Sequence, residues 1–115
     1  NFLSQSTKAK TTEAKTKLSA LLKQAHADYQ ESGNAATAQT NLASAISTAD
    51  SAGKFDYAVT GTLAANATTF PMTAKGKSGT GADSAISGKV ISGCVNLTSG
   101  EVKINSELDA TAPSC

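Results

Sequence analysis

The sequence predicts an α+β fold, a long N-terminal helix packed on a small antiparallel sheet of about four strands, and three observations carry that prediction. No proline or glycine occurs before Gly33. Apolar residues recur at helical spacing up to Gly53 and alternate with polar ones after it. The 115 residues, 39% hydrophobic and 17% charged, make one domain with a modest core and leave no room for a second.

The first helix covers residues 1–31. Ala14, Leu18, Leu21, Leu22, Ala25 and Tyr29 fall at i, i+3/i+4 and i+7 spacing, the stripe of a helix with one buried face. The lysines take the other face. Ser32, Gly33 and Asn34 end the helix, with Gly33 as the left-handed cap. Such a helix is roughly 45 Å long at about 1.5 Å per residue, longer than a domain of this size spans, so part of it projects. Residues 35–53 form a connecting segment with a shorter helix, whose weak apolar face is Ala38, Leu42, Ala45, Ile46 and Ala49 and whose end is Ser51, Ala52 and Gly53.

Residues 55–108 then read as a sheet: FDYAVTGTL, ATTFPMTAKGK, ISGKVISGCVNL and GEVKINSEL are short alternating runs. In the last of them Val102 and Ile104 face one way and Glu101, Lys103 and Asn105 the other, as in a sheet with one covered face. NLTSGEVKI reads as a hairpin with Gly100 in its turn. Pro71 marks its strand as an edge or a bulge, because proline donates no ladder bond. Residues 75–84, KGKSGTGADS, read as a polar loop.

With no tryptophan and 4% aromatics, the core is built from few large side chains, and a covalent staple would help so small a domain. Cys94 and Cys115 permit one intramolecular pairing. A bridge there closes a loop of about twenty residues and stabilises by roughly 3 kcal/mol on the chain-entropy model. Paired, they indicate an oxidising compartment; the alternative is two free thiols in the cytosol. Net charge is +1, which excludes strong long-range steering. The charge is uneven, because Lys8, Lys10, Lys15, Lys17 and Lys23 against Glu13, Asp28 and Glu31 leave residues 1–31 at +2 and the remainder at −1. Neither a bilayer-length apolar run nor a signal-peptide pattern is present in these residues.

The opening NFLSQSTKAKTTEAKTKLSALLKQAHADYQESG resembles the stretch that follows the hydrophobic segment of type IV pilins. Its Asn-Phe-Leu-Ser-Gln and the Ala-Lys and Glu-Ala-Lys steps are most similar to cyanobacterial-type members. The likeness is specific over about thirty residues; beyond them the layout of helix, connecting segment, sheet and disulfide-bounded loop at 94–115 is what matches. The resemblance implies that the chain is a pilin head whose apolar half-helix lies upstream of Asn1, which accounts for a helix with no N-cap.

On that resemblance the protein is a structural filament subunit, not an enzyme, carrying no cofactor. Its partners are other copies of the same pilin, the assembly machinery, a prepilin peptidase that cleaves a leader, and the inner membrane before assembly. The filament is extracellular and serves motility, adhesion or DNA uptake. Phe2, Leu3, Lys8 and Lys10 are the candidate subunit contacts, while Leu18, Leu21, Leu22, Ala25 and Tyr29 hold the sheet. The exposed variable surfaces are residues 35–53 and the 94–115 loop. Alternatives are a minor or competence pilin, a secretion pseudopilin, or a free secreted adhesin.

Other motifs carry less. GKS at 76–78 lacks the glycine of a phosphate loop, since Pro71 stands in its place. Lys75, Lys77, Lys89 and Lys103 are candidate DNA contacts if they converge, although scattered lysines usually form a solvated face. His26 has no nucleophile or carboxylate beside it in sequence and reads as a packing residue. It is also the only histidine, and CxxC is absent, so no metal motif is present. Asn66-Ala67-Thr68 and Asn96-Leu97-Thr98 match the glycosylation acceptor pattern. The nine acids show no paired spacing for hydrolysis.

Overall fold

A computed structural model describes residues 2–79 and 84–115, with side chains described from Lys8 onward except at position 52. Two helices, α1 (Phe2–Ser32) and α2 (Ala35–Ala52), precede four strands, β1 (Phe55–Val59), β2 (Thr69–Gly76), β3 (Val90–Asn96) and β4 (Val102–Ile104). The sheet is an antiparallel meander in the order β1-β2-β3-β4. The predicted α+β arrangement is the observed one.

Helix α1 lays its stripe on the sheet. Ala14, Leu18, Leu22 and Ala25 are fully buried and Leu21 is nearly so, while Tyr29 packs at the margin of the same core. Among the residues of α1 whose side chains are described, burial begins at Thr11 and Ala14, and Lys8 and Ala9 are exposed. The sheet answers with Phe55 and Tyr57 from β1, Phe70, Met72 and Ala74 from β2, and Ile91 and Val95 from β3, every second residue of each strand. Gly93 lies on that inner face, and a Cβ there would approach Leu18 Cδ2 to 3.1 Å. The missing side chain is what lets Leu18 reach the strand backbone.

The connecting segment is more ordered than its weak stripe suggests. It is helical from end to end, and Ala35, Ala38 and Leu42 are wholly buried, so α2 joins α1 in the helical layer, with one face of 35–53 exposed. Gly33 takes a φ of 67° and its amide bonds Tyr29 O at 2.7 Å, closing α1 with a left-handed residue. One residue later Asn34 caps α2, its side chain accepting the Thr37 amide at 3.1 Å, a cap worth about 1 kcal/mol.

Two expectations about the sheet are corrected. Pro71 lies in β2, an interior strand paired in unbroken register from Thr69↔Asn96 to Lys75↔Val90, and is neither on an edge nor at a bulge. Pro71 O accepts the Thr60 amide at 2.9 Å, so its nitrogen also faces the β1 side, at the point where β1 has ended at Val59. The one bond that proline cannot donate, to Thr60 O, falls just past the end of β1. The loop expected at 75–84 begins at Lys77, because Lys75 and Gly76 belong to β2; Thr80–Asp83 lie outside the described residues. The same loop buries Ile86, whose carbonyl sits where a side chain on Gly76 would be. Strand β4 stops at Ile104, so residues 105–108 belong to the tail.

Candidate functional site

Two parts of the molecule bring polar side chains together. The first is the C-terminal tail. Alternation along β3 turns Ile91, Gly93 and Val95 toward α1 and Cys94 toward the opposite face, where its register partner is Lys103. After β4 the chain reaches Asp109, whose amide bonds Val90 O at 2.7 Å and whose carboxylate accepts the Val90 amide at 2.9 Å. Asp109 has a φ of 58°, a left-handed conformation that aspartate tolerates, and it reverses the chain. The last residues then return across the outer face of the sheet as a strap. Asn105 Nδ2 donates to Thr111 O at 2.9 Å, Lys103 Nζ to Ser114 O at 2.9 Å and Asn96 Nδ2 to Cys115 O at 3.1 Å. Cys94 and Cys115 form the predicted disulfide, spanning 21 positions with Cα atoms 6.0 Å apart. Under the strap Cys94 is 3% exposed.

The second part is where α1 crosses the C-terminal end of α2. Glu13 and Lys17 pair at 3.2 Å, and a Cβ on Gly53 would lie 2.5 Å from Glu13 Oε1 and 2.9 Å from Lys17 Nζ. Asp50 Oδ1 accepts the Tyr57 amide at 2.7 Å, which occupies a donor on the free edge of β1. Lys77 Nζ donates to Asp50 O and to Gly53 O, the latter at 2.8 Å. Its ammonium thus serves the last carbonyls of α2, where a cation also suits the helix dipole. Burial, then the charges of Glu13 and Asp50, hold the Tyr57 phenol well above its ordinary value, so it stays protonated at neutral pH. Lys77→Met keeps the stem and removes the ammonium. We expect it to cost about 1–2 kcal/mol in urea unfolding and to speed amide exchange in the last turn of α2; unchanged exchange there would count against the capping role.

The lysines chosen as DNA contacts do not form one free patch. Lys77 is spent on α2, and Lys103 is held by the strap and by Glu101 at 3.6 Å. Lys75 and Lys89 are exposed and near each other, since Gly76 N bonds Lys89 O at 2.8 Å. Of the candidate subunit contacts, Lys8 is exposed and Lys10 half-buried, while the side chains of Phe2 and Leu3 lie outside the described residues. His26 is half-buried and covers the β3–β4 turn, its Cε1 2.8 Å from where a Cβ on Gly100 would stand.

Of the two acceptor patterns, Asn96 has its side chain engaged with the Thr98 and Ser99 amides and with Cys115 O, whereas Asn66 is exposed at the turn where Ala67 N bonds Ala64 O. Sequence reading missed Asp50 and Ile86 and the structural roles of Lys77 and Asn105, which act across the fold where no local period marks them.

Among the described residues no group of three or more His, Cys, Asp or Glu gathers as a metal centre would require, and no helix is long and apolar enough to cross a membrane. Comparison of the chain with protein-family models, with curated proteins and with solved structures finds no match.

Proposed function

We propose that the chain is the head of a filament subunit of the type IV pilin kind, exposed on an extracellular filament and polymerising through an apolar half-helix continuous with α1. The observation that carries the reading is the helix itself. It runs for 31 residues, and among those whose side chains are described the packed face starts at Thr11 and Ala14 while Lys8 and Ala9 are exposed. The layout of helix, meander and disulfide-held C-terminal segment agrees with it.

In this reading subunits wait in the inner membrane, pass through a prepilin peptidase and an assembly machine, and stack through one repeated head-to-tail contact. Such a contact does not close on itself and so generates an open filament. Lys8 and Lys10 lie at the end of the head that meets a neighbour.

The test is to shear surface filaments from cells expressing the full-length gene and to measure the intact mass of the subunits with and without reductant. The expected result is a major component that contains this chain behind an apolar segment and gains about two mass units on reduction. Absence from the filaments would overturn the reading in favour of a free secreted adhesin, and trace amounts would assign a minor or tip subunit.

A further inference from the structure

One face of α1 carries lysines and hydroxyls and none of the helix's acids. Lys8, Thr12, Lys15, Thr16, Ser19 and Lys23 share it at i, i+3/i+4 and i+7/i+8 spacing. Lys8, Thr12, Thr16 and Lys23 are exposed, and Lys15 and Ser19 are half-buried. The acids of α1 fall off the row: Glu13 is on the α2 side, paired with Lys17, and at about 100° per residue Asp28 lies about two-fifths of a turn from Lys23 and Glu31 about a fifth. Around the middle of the row is a shallow depression of about 500 Å³ lined by Lys15, Thr16, Ser19, Ala20 and Lys23.

We infer that this face docks a linear acidic polysaccharide. The lysines stand about 10 and 12 Å apart along the axis, at about 1.5 Å per residue, close to the length of two sugars, so that each ammonium meets every second carboxylate of a polyuronate. Hydroxyls of Thr12, Thr16 and Ser19 lie between the ammonium groups, where they can exchange hydrogen bonds with sugar hydroxyls; Thr12 Oγ1 also donates to Lys8 O at 2.9 Å.

Nucleic acid fits this face less well. A duplex strand carries a phosphate every ~3.4 Å, about three for each lysine. The chain has no arginine to grip phosphates in bidentate fashion. Phe55, Tyr57 and Phe70 are buried on the far side of the helix and offer no platform for stacking bases. The inference stands whether or not the chain builds a filament; in a filament Lys8 lies at the subunit contact, and Lys15 and Lys23 are the part of the row repeated from head to head.

The experiment uses the 115-residue chain and immobilised alginate, with neutral dextran and duplex DNA as comparison surfaces, over a range of salt. Alginate is expected to bind, dextran not, and Lys15→Gln/Lys23→Gln is expected to weaken alginate binding at least tenfold and to flatten its salt dependence. The charge-matched Lys75→Gln/Lys89→Gln control, where β2 ends and β3 begins, is expected to bind like the parent chain. Circular dichroism of both variants should match the parent, because none of the four side chains belongs to the core. No binding of alginate, an equal loss in the two double variants, or tighter binding to DNA than to alginate at equal charge concentration would each overturn the inference.

Discussion

Leu18→Ala is expected to lower the unfolding free energy by about 4 kcal/mol, against less than ~0.5 kcal/mol for Lys23→Ala five residues along the same helix. Leu18 is fully buried and occupies the space left by the absent side chain of Gly93. Truncation therefore removes its methyl groups from the core and leaves a void between a helix and a strand backbone, neither of which can collapse into it. For a domain stable by ~5–15 kcal/mol that is a large share, and the thermal midpoint should fall by roughly 15 °C. Urea unfolding monitored by circular dichroism measures it. A loss below ~1.5 kcal/mol would mean that α1 is not seated on β3 as described.

Cys115→Ala should cost about 3 kcal/mol, because the open chain regains the freedom of a loop of roughly twenty residues in its unfolded state. Reductant added to the parent chain should reproduce that loss and leave the variant untouched. Cys94→Ala separates the two contributions of the bridge. Cys94 is buried and Cys115 half-exposed, so any excess cost at Cys94 reports packing, and an equal cost reports the cross-link alone. If Cys115→Ala lost nothing, the strap would be held by Asn96, Asn105 and Lys103 without help from the bridge.

Local patterns made the framework of the fold readable. The 3.6-residue stripe from Ala14 to Tyr29, the glycine after Ser32 and the alternation in FDYAVTGTL and GEVKINSEL each report a choice made by neighbouring residues, and each element forms within its pattern, although β1 stops at Val59 and β4 at Ile104, short of the runs. Pro71 was misleading because the rule that keeps proline out of interior strands assumes partners on both sides, and here one partner strand is shorter. Ile86 is a single apolar residue in a run of glycine, serine and alanine, which gives no period. The task of Lys77 arises only after residues more than twenty positions apart have met, and that of Asp50 only once the end of α2 has turned back onto β1. The pairing of Cys94 with Cys115 was legible because there was no other cysteine to pair with.

The notch at Gly93 also bears on mechanics. A helix held to a sheet by smooth apolar contacts can slide along its own axis, whereas one with a side chain lodged in a gap of the opposing backbone must lift out before it moves. A pull along α1 therefore arrives at β3 through Leu18, one residue from the disulfide that ties the chain's end to that strand. The load is shared between β3 and the tail through a covalent bond, so tension on the helix cannot peel the C-terminal segment away first.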